Sequence, residues 1–194
     1  MAPSASSQPL IEPSALIAPT AKVGAGTRIW AFVQVGESAV IGENCVVGNG
    51  AYIDRHVVIG DRVRIHNKAL LYHGVIVGND VFVGPGVCFT NDPWPRSGAT
   101  RDMREARWRV GRGASVGANA TILPDLNLGE YSVVGAGSVV TKSVSAFALV
   151  TGNPARQRGW VCPCGEVVRF QDSKFIPLPE KCTACGKAFA SNRS

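Results

Sequence analysis

Residues 29–67 read IWAFVQVGESAVIGENCVVGNGAYIDRHVVIGDRVRIHN. An aliphatic residue recurs at every sixth position of this stretch: Ile29, Val35, Ile41, Val47, Ile53, Ile59 and Ile65. Toward the N-terminus the series continues as Val23, Ile17 and Ile11; toward the C-terminus it continues as Leu71, Val77, Val83 and Phe89. It then breaks, and resumes at Val110, Val116, Ile122, Leu128, Val134 and Val140. A second series lies two residues earlier and is mostly small or β-branched: Ala21, Thr27, Val33, Ala39, Cys45, Ala51, Val57 and Val63, with Ala114 and Ala120 beyond the break. Residues two apart on a strand face the same side. Each six-residue unit therefore sends one small and one larger side chain inward.

Three such units close one triangular coil. Stacked coils pair in parallel and bury a continuous core, so each coil needs its neighbours. Glycine follows many of the larger inward positions, as at Gly24, Gly36, Gly42, Gly48 and Gly60, and is expected to serve tight corners. A period of six gives no single stripe on an α-helix, and no helical segments are visible to connect an ordinary α/β sheet. The expected fold is an all-β parallel β-helix.

The break spans TNDPWPRSGATRDMREARW, residues 90–108, with Pro93 and Pro95 around Trp94 and several arginines. It is read as a loop projecting over about 90–109. Two roles stand: a solvated insertion, or an arm that reaches a neighbouring subunit and helps form a substrate pocket. Its arginines suit bidentate pairing with carboxylate or phosphate.

The formal charge is +6 over 194 residues. With no lysine- or arginine-rich block, a phosphorylated small molecule is a simpler partner than nucleic acid. The first ten residues lack a charged segment followed by an apolar run, and no stretch approaches the length of a membrane span. The cytoplasm is the expected compartment.

The tail reads GWVCPCGEVVRFQDSKFIPLPEKCTACGKAFASNRS. Cys162 and Cys164 form C-x-C-G, and Cys182 and Cys185 form C-x-x-C-G. Four thiolates make a closed tetrahedral site, for which a structural Zn is the usual ion. The residues between the pairs are expected to form a small hairpin with Val168 and Phe170 on one face. Chelation should loosen this tail before it abolishes the β-helix.

The hexapeptide pattern over residues 11–158 resembles the bacterial transferase hexapeptide superfamily. That resemblance implies a left-handed β-helix, although parallel crossovers are ordinarily right-handed. It also implies a homotrimer with active sites between subunits. The run 29–67, LYHGVIVGNDVFVGPGVCFTNDPWPR (71–96) and GNPAR (152–156) are similar to enzymes that N-acetylate the 3-amino group of nucleotide-linked amino sugars, especially UDP-2-acetamido-3-amino-2,3-dideoxyglucuronate N-acetyltransferases. The implied chemistry is direct attack of the sugar amine on acetyl-CoA, with no covalent enzyme intermediate. The expected organisation is a flexible segment over 1–10, the β-helix over 11–158 and a four-cysteine tail over 159–194.

By phase His66 points outward, Asn67 sits at a corner directly above Asn49, Tyr72 points outward and His73 occupies the next corner. Three roles stand for each histidine: accepting the proton, since imidazole titrates near neutrality, binding substrate without proton transfer, or an ordinary surface position; an amine that arrives deprotonated needs no protein base. The resemblance puts Asn91 and Asp92 near the reacting amine, with an Asx-type turn before Pro93 as the alternative for both. It assigns Tyr72 and Arg96 to substrate. It lays coenzyme A along the last coils, with Gly117, Ala118, Gly135 and Ala136 beside the pantetheine arm and Lys142, Arg156 and Arg158 near its phosphates, a solvated basic end being the alternative for those three. Cys45 is an inward core residue. Rival functions are a scaffold without catalysis, an acyltransferase for a different amine or hydroxyl, and a three-histidine metal hydratase; His56, His66 and His73 are the only histidines and lie on different parts of the coil.

Overall fold

The computed structural model describes residues 8–98, 107–170, 174–175 and 177–189. Short strands, most of two residues, pair with the strand one coil away, as Arg28–Ile29 pairs with Val46–Val47 and Arg64–Ile65 with Phe82–Val83. Every third strand joins the same sheet, so the chain winds into a three-faced, left-handed parallel β-helix. The first face runs from Leu10–Ile11 to Val133–Val134, the second from Leu16–Ile17 to Val139–Val140, and the third from Lys22–Val23 to Asn127–Leu128. We call the edge between the first and second faces the first edge, that between the second and third the second edge, and the remaining one the third edge. Leu10 already belongs to a paired strand, so the ordered prism starts within the segment expected to be flexible. Among the described residues no helix is long and apolar enough to cross a membrane.

Both inward series form the core. Val33, Ala39, Cys45, Val57 and Val63 are buried alongside Ile29, Ile41, Ile53, Ile59, Ile65 and Leu71. Burial raises the Cys45 thiol above its ordinary value, which fits a core residue rather than a nucleophile.

The recurring glycines do a different job from the one expected. Most have ordinary φ. What they lack is space: a Cβ on Gly42 would lie 2.6 Å from the Gly60 carbonyl, and one on Gly117 would lie 2.5 Å from the Ala136 nitrogen. They let adjacent coils approach. The left-handed corner position falls two residues later and is held largely by other residues, including Phe32 (φ 58°), His56 (57°) and Lys68 (58°).

The break is an insertion at the second edge. Val77 pairs with Ile59 on one side, a single regular coil back. On the other side it pairs with Val110, almost two coil lengths ahead in sequence, so the chain between them carries extra length that leaves the prism. The insertion ends sooner than expected, because Trp108–Val110 is a strand of the third face. Trp108 fills an inward position, packs edge-on against Phe89 and donates its indole N–H to the Leu123 carbonyl.

After Ala148–Thr151 the chain turns at 152–155 and returns antiparallel as Arg156–Val161, followed by Val167–Arg169. A hairpin forms, but not between the cysteine pairs as expected: its first strand, Arg156–Val161, precedes the first pair, Cys162–Cys164 lie in its turn, and only its second strand, Val167–Arg169, lies between the pairs. The boundary at 158/159 therefore cuts a strand rather than a linker. Phe147, Trp160, Cys162, Cys182 and Phe189 join the core cluster and cover the C-terminal end of the prism.

Candidate active site

Strand register sorts the candidate residues into two groups. Asn49, His66, Asn67, Gly117, Ala118, Gly135 and Ala136 stack along the first edge. Tyr72, His73, Asn91, Asp92 and Lys142 belong to the second, and Arg96 lies farther along the insertion that starts there. One face of six residues per unit, about 20 Å at about 3.3 Å per residue, separates His66 from His73. Within one chain they do not converge.

At the first edge the stacking of Asn49 and Asn67 holds: the Asn49 amide donates to Asn67 Oδ1 at 3.0 Å. That bond fixes the Asn67 carboxamide and leaves its NH2 as the donor end. Trp30, Asn49, Arg64, His66 and Asn67 line an open cavity of about 470 Å³. The exposed His66 ring leans on Phe82, with centroids 4.7 Å apart. Trp30 and Arg64 were not singled out in the sequence, although Trp30 lies one full coil before Gly48 and so shares its column.

At the second edge His73 is the most constrained group. Its backbone N–H donates to Asp54 Oδ2 at 3.1 Å, and its Nδ1 lies 3.0 Å from the Arg55 carbonyl. A carbonyl only accepts, so the neutral ring carries its proton on Nδ1 and Nε2 is the basic nitrogen. The His56 ring packs edge-on at 5.4 Å. Asp54 also accepts from the Tyr52 hydroxyl at 3.1 Å and the Arg55 amide at 2.7 Å. Burial first, then the bond to Asp54, raises the Tyr52 phenol, so it stays a donor. Tyr72 packs over Tyr52 at 5.7 Å. Asp54, Arg55 and Tyr52 went unnoticed in the sequence, yet stepping back one coil from Tyr72, His73 and Leu70 finds them.

The root of the insertion follows. Asp92 Oδ1 accepts from the Trp94 amide at 2.7 Å, so Asp92 does form an Asx turn. Arg96 donates to the adjacent Pro95 carbonyl at 3.0 Å, and Asn91, Trp94 and Arg96 are exposed. The part of the loop over 99–106 lies outside the described residues.

The basic candidates separate. Lys142 and Arg156 line a cavity of about 250 Å³ at the end of the core, while Arg158 lines another of about 290 Å³ with Arg169. The third edge is an ion-pair ladder, with Asp80 bridging Arg62 at 2.6 Å and Arg112 at 3.1 Å. The Arg62 guanidinium holds the Asp80 carboxyl below its ordinary value.

In the tail the sulfurs of Cys162, Cys164, Cys182 and Cys185 all lie within 4.8 Å of one another. Cys162–Cys185 is 3.6 Å and Cys164–Cys182 is 3.8 Å. A tetrahedral ion with sulfur at about 2.3 Å needs edges of about 3.8 Å, whereas a disulfide needs about 2.05 Å. The four thiols therefore fit a tetrahedral ion. The Cys185 and Ala184 amides draw Cys182 down to about 7, and burial pushes Cys162 up to about 12.

Comparison with known proteins agrees with this architecture. The bacterial transferase hexapeptide family (six repeats) matches residues 9–55 and 56–91, and the hexapeptide repeat of succinyl-transferase matches 108–142. The chain belongs to the hexapeptide-repeat transferase family. Among its relatives, dTDP-3-amino-3,6-dideoxy-alpha-D-galactopyranose 3-N-acetyltransferase of Aneurinibacillus thermoaerophilus is 44% identical over 80 residues, which cover 41% of this chain and 38% of that enzyme. Serine acetyltransferase 4 of Arabidopsis thaliana is 38% identical over 64 residues, 33% of this chain and 18% of that one. In structure the chain is similar to GDP-perosamine N-acetyltransferase of Caulobacter crescentus, solved with CoA and GDP-perosamine (TM-score 0.51, 24% identity, 78% of this chain and 56% of that one). It is also similar to the acetyltransferase domain of PglB from Neisseria gonorrhoeae with acetyl coenzyme A (TM-score 0.51, 21% identity, 77% and 57%). These coverages mean that the chain spans little more than half, or less, of each relative.

Proposed function

We propose that this protein transfers the acetyl group of acetyl-CoA to the 3-amino group of a nucleotide-linked amino sugar. The observation that carries this is His73, anchored through Nδ1 with its basic nitrogen opposite, one coil before the root of the insertion at Asn91 and Asp92. The 44% match to a 3-N-acetyltransferase of a dTDP-3-amino sugar supports both the amine and its position.

The sugar amine attacks the thioester carbonyl; a C–N bond forms and the C–S bond breaks. His73 Nε2 accepts the proton released by the amine, and that proton is available to the departing thiolate. Asp54 and the Arg55 carbonyl orient the ring. Asn67, through its NH2, and Asn49 bind substrate at the first edge, beside His66. Tyr72, Asp92 and Arg96 position the sugar nucleotide, and the Gly117–Ala118 and Gly135–Ala136 steps accept the pantetheine arm.

Because the two edges are a face apart, catalysis by both is assigned to a homotrimer in which one subunit's second edge meets its neighbour's first. The exposed apolar column Val40, Val58 and Ile76 on the third face suits such contact. Cys162, Cys164, Cys182 and Cys185 would hold a Zn ion with all four thiolates, and it would supply a structural cross-link rather than a catalytic position. The dependence on acetyl-CoA fits the cytoplasm.

The test is thiol release from acetyl-CoA across nucleotide-linked 3-amino uronates, neutral 3-amino sugars and 4-amino sugars, with products identified by mass. Turnover of a 3-amino member is expected. Turnover of 4-amino sugars alone rejects the assigned position. A hydroxyl acceptor is the second reading, favoured by the match to a serine acetyltransferase; an O-acetylated product in the same assay would establish it.

A further inference from the structure

The four thiols at the end of the prism are arranged for a second chemistry besides metal binding. They sit on two knuckles. In one, the Gly165 amide donates to the Cys162 carbonyl at 2.8 Å and the Cys162 amide to the Glu166 carbonyl at 2.9 Å. In the other, the Gly186 amide donates to the Cys182 carbonyl at 2.9 Å and the Cys182 amide to the Lys187 carbonyl at 2.8 Å. Close sulfur pairs run between the knuckles: Cys162 with Cys185 at 3.6 Å, and Cys164 with Cys182 at 3.8 Å. Each of these pairs joins one buried thiol to one exposed thiol.

That division of labour suits oxidation. A peroxide reaches an exposed sulfur, and a disulfide follows when a second thiol stands close enough to attack the oxidised one. Cys164 and Cys185 are the exposed sulfurs; Cys182 and Cys162 are the buried ones behind them. Each pair has to close by less than about 2 Å to reach the ~2.05 Å of a disulfide. A bond within a knuckle would instead have to form inside a turn that two backbone hydrogen bonds already fix.

The link between the knuckles holds the cap on the prism. Cys162 and Cys182 belong to the core cluster together with Trp160 and Phe189. Phe189 packs edge-on against Phe147 at 5.6 Å, and the bridge between Lys181 and Ala188 joins it to the second knuckle.

We propose that the cluster is an oxidation site as well as a metal site: a hydroperoxide converts it to two disulfides, Cys162–Cys185 and Cys164–Cys182, which replace the metal as the cross-link. With hydrogen peroxide, the exposed thiolate of each pair attacks one oxygen, the O–O bond breaks, and a sulfenic acid and one water form. The buried thiolate then attacks that sulfur. The S–S bond forms, the S–O bond breaks, and the oxygen leaves as a second water. Each pair gives two electrons to one peroxide and two protons are taken up; two peroxides convert the cluster and free the metal. The cap is held in both states and loosens only when the chain is reduced and metal-free. This chemistry is independent of acetyl transfer.

The experiment uses the full chain loaded with Zn, treated with hydrogen peroxide, alkylated and digested with trypsin. Cleavage after Arg158, Arg169, Lys181 and Lys187 places Cys162 and Cys164 on one peptide and Cys182 and Cys185 on another. The expected product is the two peptides joined, four hydrogens lighter and unalkylated, with one Zn per chain released to a chromogenic chelator. Fragmentation at Pro163 and between Cys182 and Cys185 should leave Cys162 linked to the piece that carries Cys185. Linkage to Cys182 overturns the assigned pairs. Two separate peptides, each two hydrogens lighter, overturn the cross-link, as do sulfinic acids or unreacted thiols. Hydrogen exchange over 180–189 should stay slow in the Zn-loaded and the oxidised chain and rise after reduction with chelation. Fast exchange in the oxidised chain, or disulfides in a chain that takes up no Zn, overturns the replacement of one cross-link by the other.

Discussion

The two edges that flank the second face come from the same repeat but are finished differently. The first edge is smooth: coils meet at Gly48, Gly84, Gly117 and Gly135, and its side chains are small toward the C-terminal end. The second edge is armed, with Asp54, Arg55 and His73 locked together and the insertion rooted one coil further on. A regular stack leaves a groove wherever Cβ atoms are missing, and it presents chemistry where one coil is allowed to leave the pattern. A long flexible donor suits the groove, and a compact acceptor suits the armed edge.

The sharpest way to break this contrast is to exchange the histidines' fates. His73→Ala should lower kcat by about 10²- to 10⁴-fold, the range for a positioned general base. His66→Ala should act mainly on KM. Steady-state thiol release decides this, and the opposite pattern would move proton transfer to the first edge. Mixing subunits bearing each substitution should restore turnover if a site draws on both edges of neighbouring chains, because some interfaces would then carry both histidines.

A smaller effect is expected from the groove. Gly117→Ala places a Cβ 2.5 Å from the Ala136 nitrogen. It should cost about 1–3 kcal/mol in denaturant unfolding, as overpacking does. Little or no loss would mean that the coils are free to part there.

The ends of the prism differ in the same spirit. Leu10 and Leu16 are exposed on the first coil, while Phe147, Trp160 and Phe189 cover the last. Cys182→Ser should therefore raise hydrogen exchange in 156–170 and leave the strands around Ile53 and Leu71 protected. Equal loss of protection throughout would make the appendage part of one cooperative unit.

The third edge provides the smallest effect. Asp80 has a depressed carboxyl pKa in the folded state, so its contribution is present above the unfolded value of about 3.9 and is lost as pH falls below it. Asp80→Asn should cost about 0–1 kcal/mol at neutral pH, typical of a surface pair. The difference from wild type should vanish in acid.

Much of the site was legible once the three-unit coil was known. The stacking of Asn49 on Asn67 follows from arithmetic, and the same arithmetic reaches Asp54 and Arg55 below Tyr72 and His73. Other features were not legible. Trp108 reads as the end of a polar loop, but the register resumes two residues before Val110 and draws it into the core. The glycines read as turn formers, whereas the left-handed corners fall at Phe32, His56 and Lys68 and the glycines serve coil contact. The cysteine spacing identified four thiols that cluster, without showing that their hairpin begins at Arg156 and continues the first sheet.

By itself the sequence determined the coil, its core and the identity of the four clustered thiols, because a period of six and paired cysteines are local patterns that each repeat restates. Only the tertiary structure decided how the groups at each edge are held. The tautomer of His73 and the seating of Arg158 beside Arg169 depend on where a neighbouring carbonyl and a returning hairpin come to rest, and no local spacing encodes that.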